Sequence, residues 1–186
     1  MTEDEFFGKI DPVIKTIGSV PIEGEEFRDP PLDVLRYYER VVKLHWLPVL
    51  GRGLSVVAVV RQPIDIGLSV NDHRKLLIRL GLAVNGRFPP WGTHSKNWGM
   101  ALGLTAIILT PEPIGPADDA ILGQVVNGKA LAKQRAVPLG LLRVNLGQEA
   151  LSFALANAPP GLFLEPAAIA DALSPHLRRF VPFLEV

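Results

Sequence analysis

The chain has 186 residues, 48% hydrophobic and 20% charged, with 19 Lys and Arg balancing 19 Asp and Glu. That balance excludes charge-driven disorder, and the absence of Cys excludes disulfides, thiolate metal sites and cysteine nucleophiles. Charge is spread unevenly: residues 1–30 hold eight acids against three bases (net −5), and residues 31–110 hold four acids against ten bases (net +6).

That asymmetry marks either an anion-binding centre or an acidic arm that docks on the basic middle of its own chain. The start, Met1-Thr2-Glu3-Asp4-Glu5, is acidic where a signal peptide is basic. No stretch approaches the ~20 apolar residues of a membrane span. A cytoplasmic protein with no membrane partner is therefore expected, folded as a single globular domain with residues 1–30 as an acidic N-terminal arm. The 17 Gly and 17 Pro follow no period and predict short elements joined by many turns.

In chain order, Asp11-Pro12 reads as a brief helix start, cut short by Gly18 and Pro21. Leu32, Leu35, Tyr38, Val42 and Trp46 recur at helical spacing and predict a helix over 31–47, stopped by Pro48 and Gly51. The β-branched run inside Leu54–Arg61 predicts a buried strand. Ser69 and Asp72 have capping-box spacing before Leu76, Leu77 and Leu80, which predicts a helix over 70–80 with Gly81 just past its end.

Leu104–Leu109 is a second apolar strand, closed by Pro111 and Pro113. Residues 116–126 offer helical spacing in Ile121, Leu122, Val125 and Val126, which outweighs the hairpin signal of Asn127-Gly128. Leu139–Leu146 and Glu149–Ala156 alternate about Gly147-Gln148 and predict a hairpin, with Leu151 and Phe153 on one face and Ser152 on the other. A helix over 166–173 begins with Pro166. Together these predict an α+β fold, a small mainly antiparallel sheet of four or five strands with helices packed on one face.

The functional suspicion falls on Asn85–Met100, a long stretch with neither helical nor strand period. Trp91 and Trp98 would wall a pocket, and Arg87, His94, Ser95 and Lys96 would supply cations, a hydroxyl and a titratable imidazole for a small anionic ligand. The competing account is a packed Ω-loop anchored by its Trp residues.

Other features carry less. Gly51-Arg52-Gly53 precedes a strand, the wrong context for a phosphate loop. Arg61 and Asp65 read as an ion pair across a turn, and Asp72-His73 as a capped, surface helix start. His45, His73, His94 and His176 lack ligand spacing, so no metal or cofactor is expected. Ser55 and Ser95 lack the nucleophile elbow, and a neutral total charge disfavours nucleic acid. With no catalytic constellation and an apolar C-terminal third (Phe163, Phe180, Phe183), the sequence points to a self-associating binding module. The alternative is an enzyme using the 85–100 loop on a small anion.

Overall fold

The computed structural model describes residues 1–22, 32–43, 52–87, 101–127, 136–156 and 164–180. At its centre lie the two apolar runs, β3 (Arg52–Arg61) and β4 (Ala101–Leu109), paired in parallel. Gly53 to Val60 are all buried, as a strand covered on both faces requires.

β5 (Ala136–Asn145) pairs with β4 in parallel, and β6 (Ala150–Leu155) returns antiparallel to β5 as the predicted hairpin. β2 (Val34–Lys43) pairs antiparallel with β3, and β1 (Val20–Ile22) antiparallel with β2. The short β7 (Arg178–Arg179) lies parallel to β6. Among the described residues the sheet thus has seven strands and mixed pairing, not four or five mainly antiparallel ones, and its spatial order follows chain order.

Helices cover both faces, not one. α1 (Glu3–Thr16) and α4 (Glu165–Leu173) bury Phe6, Ile10, Ile169 and Leu173 against Tyr38, Val57, Ile107 and Leu142. α2 (Val70–Arg87) and α3 (Asp118–Val126) bury Leu76, Leu80, Leu122 and Val125 against Tyr37, Val56, Leu104 and Leu141.

This double covering explains the largest correction. Residues 31–47 are not a helix; Val34–Lys43 is a strand. Tyr37 faces α2 and α3 while its neighbour Tyr38 faces α1 and α4, and both are buried. With apolar residues required on both sides, period-two alternation disappears, and the remaining spacing imitates a helix. Its β-branched and aromatic content was the better guide.

The acidic arm also contains more order than expected. Thr2 and Glu5 form a reciprocal capping box, and the helix runs through Pro12. A proline inside a helix costs about 3 kcal/mol. Burying Phe6, Phe7, Ile10 and Ile14 outweighs that, at roughly 1.5–3 kcal/mol for each such side chain. α2 likewise continues past Gly81 to Arg87, with Leu77, Leu80 and Val84 all buried against the sheet.

Candidate functional site

Because α2 follows β3 and α3 follows β4, the first turns of both helices stand at the carboxyl edge of the parallel strands. Both helices pack on the same face, and the strand order never reverses, so this sheet has no switch-point crevice of the doubly wound kind. What it has there instead is a buried charge cluster.

Arg143, near the end of β5, is 0% exposed. Its Nη1 donates to Asp118 Oδ1 at the start of α3, and Asp118 Oδ2 accepts the Gly115 N–H at 2.6 Å. The Nε and Nη2 of Arg143 are buried with no hydrogen-bond partner among the described residues. Burial pushes the guanidinium below its ordinary pKa, against the opposing pull of Asp118 and Glu112.

His73, in the first turn of α2, is 2% exposed, so it is not the surface residue the sequence suggested. Its Nδ1 lies 2.9 Å from the Ser69 carbonyl, a contact that requires Nδ1 to carry the proton. Burial, foremost, and the Arg143 charge hold the imidazole pKa below its usual value. Ser69 caps the helix, its Oγ accepting the Asp72 N–H at 3.1 Å, and its hydroxyl donates to Asp72 Oδ2 at 2.6 Å.

The rest of this edge is internally bonded. Thr110 donates to Gln62 Oε1, Asn145 Nδ2 donates to the carbonyls of Pro111 and Glu112, and Gln148 both gives to and takes from the backbone of Ile114. These bonds pin the segment between β4 and α3. On the opposite sheet face, Glu165 is fully buried and its Oε1 accepts from Arg40 Nε at 2.6 Å and Ser19 Oγ at 3.4 Å. That joins the turn between α1 and β1, β2 and α4 in one polar contact.

Of the site predicted from sequence, Arg87 is the last residue of α2. Its side chain, and Trp91, His94, Ser95, Lys96 and Trp98, lie outside the described residues. Arg61 and Asp65 do not pair with each other: Arg61 binds Glu3 and Asp33, and Asp65 binds Arg79. The basic middle of the chain is partly answered by the acidic helix, through Arg36–Asp11 and Arg61–Glu3. Among the described residues, no group of three His, Asp or Glu could hold a metal ion, and no helix is long and apolar enough to cross a membrane.

Sequence reasoning missed the Arg143 cluster. The available signal was a lone Arg in an otherwise apolar strand, which is buried once both sheet faces are covered.

Against known proteins, the chain matches no family model, no curated protein and no solved structure. Its class is therefore defined by architecture: an α+β protein with a seven-stranded mixed sheet layered between two pairs of helices.

Proposed function

We propose that the chain is a non-enzymatic binding module that associates with a second copy of itself through the amino-terminal edge of its parallel strands. The observation that carries this reading is the placement of exposed apolar side chains. Val41 is 56% exposed, Leu82 57%, Val137 51% and Leu164 44%. Val41 pairs with Leu54 near the start of β3, and Val137 is the second residue of β5. Leu82 sits late in α2, and Leu164 immediately precedes α4, whose Pro166 packs over Gly140.

Single exposed apolar residues are ordinary; four of the six described ones fall on elements that start or end toward this edge, which favours an interface there. At the carboxyl edge the polar groups are mostly engaged with one another; of the remaining exposed large apolar residues described, Ile64 lies in the turn after β3 and Val20 in the edge strand β1. Light scattering over a wide range of protein concentration tests the reading. A dimer is expected, and Val41→Glu combined with Val137→Glu is expected to shift it to monomer while the fold survives. A wild-type chain that stays monomeric at every concentration rejects the proposal.

A further inference from the structure

The Arg143 cluster lies at the other edge of the sheet and supports a separate inference. We propose that the Nε and Nη2 side of Arg143 binds a small oxyanion, phosphate or a carboxylate, between the first turns of α2 and α3. A guanidinium is a planar set of N–H donors with no acceptor, and it stays charged in proteins. Asp118 takes Nη1 only, leaving Nε and Nη2 buried and unpartnered among the described residues. Buried charged donors without an acceptor are costly, and their geometry suits two oxygens of one anion.

The surroundings favour negative charge. Arg143 is bonded to the first turn of α3 through Asp118 and its charge acts on His73 in the first turn of α2, and each helix amino terminus carries a partial positive charge. Asp118 neutralises Arg143 in part, and the other first-turn acids are committed elsewhere. Asp72 is held by Ser69 and Lys75, and Asp119 by Arg179 and Ser152. Glu112 also faces Arg143 and is exposed, so it opposes the ligand only through solvent. With Nδ1 turned to Ser69, the second ring nitrogen of His73 carries no proton in the neutral form. An anion beside it would favour the charged ring.

The test uses the full chain with inorganic phosphate, and separately acetate, at ionic strength held constant with chloride. Phosphate or acetate is expected to raise the melting temperature saturably, by roughly 3 °C at about ten times Kd, and chloride is expected to do nothing. NMR on the unaltered protein is expected to show the Arg143 Nε–H signal shifting with the same saturation curve, and the His73 pKa rising. The phosphate and acetate arms identify which oxyanion class fits. Arg143→Lys is expected to abolish the saturable response. If that variant does not fold, the NMR arm decides alone. An Arg143 signal and a His73 pKa that respond to phosphate and acetate no more than to chloride overturn the proposal.

Discussion

Asp119 Oδ1, in the first turn of α3, accepts the backbone N–H of Phe153 in β6 at 3.1 Å. The same oxygen takes the Ser152 hydroxyl at 2.5 Å, and the other oxygen holds Arg179 Nε and Nη2 at 3.0 and 2.9 Å. The Arg179 guanidinium in turn lies 4.1 Å from the Phe153 ring centre. β7 covers only Ala150 and Leu151, so a carboxylate occupies the first donor beyond it. Open strand edges recruit other strands, and a charge placed there is a deterrent.

Replacing Asp119 should therefore cost more than an ordinary surface change. Asp119→Ala leaves a backbone donor, a hydroxyl and an Arg without their acceptor, and an expected loss of about 1–3 kcal/mol follows. Asp119→Asn keeps an acceptor for Phe153 but loses the charge on Arg179, and should cost less. Urea unfolding measures both, and hydrogen exchange should show the Phe153 amide losing protection in the Ala variant. An unchanged Phe153 amide would mean that β6 holds its edge without this carboxylate.

The second prediction concerns how α1 is held. Its ion pairs, Glu3–Arg61 and Asp11–Arg36, are partly exposed, and pairs of that kind contribute about 0–1 kcal/mol. Phe6, Ile10 and Ile14 are 0% exposed, and Phe→Ala in a core costs roughly 3–5 kcal/mol. Packing should dominate. Phe6→Ala is expected to destabilise by that amount at low and high salt alike, whereas the smaller effect of Glu3→Gln should fade as salt rises. A Phe6→Ala loss confined to low salt would reverse the assignment.

These contacts also show how far the sequence could be read. Local signals sufficed where a segment carried its own mark: the unbroken apolar run at β3, the Ser69 cap of α2, and the hairpin of β5 and β6 were all legible. What failed was inference that depended on the second sheet face. Tyr37 and Tyr38 are both buried because helices lie on both sides, so the pattern of β2 lost its period. Ser152, placed by the sequence on the face opposite Leu151 and Phe153, is 1% exposed and bonded to Asp119. Arg143 was invisible as a site for the same reason. Its strand alternates correctly, but only the layer of α2 and α3 makes its position interior. The residues suspected from composition, Trp91 to Trp98, lie outside the described residues.

A pair of glycines gives opposite expectations from one substitution. A Cβ at Gly140 would stand 2.6 Å from the Cβ of Pro166, closer than real side chains approach. Gly140→Ala must push the start of α4 off β5, disturbing Glu165 as well, and overpacking of this kind costs about 1–3 kcal/mol. Gly123, inside α3, has nothing within 4 Å of its would-be Cβ. Gly123→Ala should stabilise by about 0.5–1 kcal/mol, because glycine in a helix interior is the poorer choice. Chemical denaturation of the two variants should move in opposite directions. A shift of the same sign in both would show that α4 does not sit tightly on Gly140.

The last prediction turns on His73. Burial first, then the neighbouring Arg143 charge, lowers its pKa in the folded chain, while the Ser69 carbonyl and the charges of Asp118 and Asp72 act in the other direction. In the unfolded chain the ring has an ordinary pKa of about 6.5. Above that value the ring is neutral in both states, and its full contribution to stability is present. As pH falls below about 6.5, the unfolded chain takes up the proton first, so stability drops. The decline continues until pH passes the lowered folded-state pKa, and then levels. Urea midpoints measured from neutral to mildly acid pH should follow that course. His73→Gln should flatten it, and His45, His94 and His176 remain in both proteins, so the difference between profiles isolates position 73. Identical profiles would show that His73 takes its proton as readily in the folded chain as in the unfolded one. A stability that rises on acidification would be worse for the arrangement described here. It would require an imidazolium held within reach of the Arg143 charge, with Asp118 already engaged by that guanidinium.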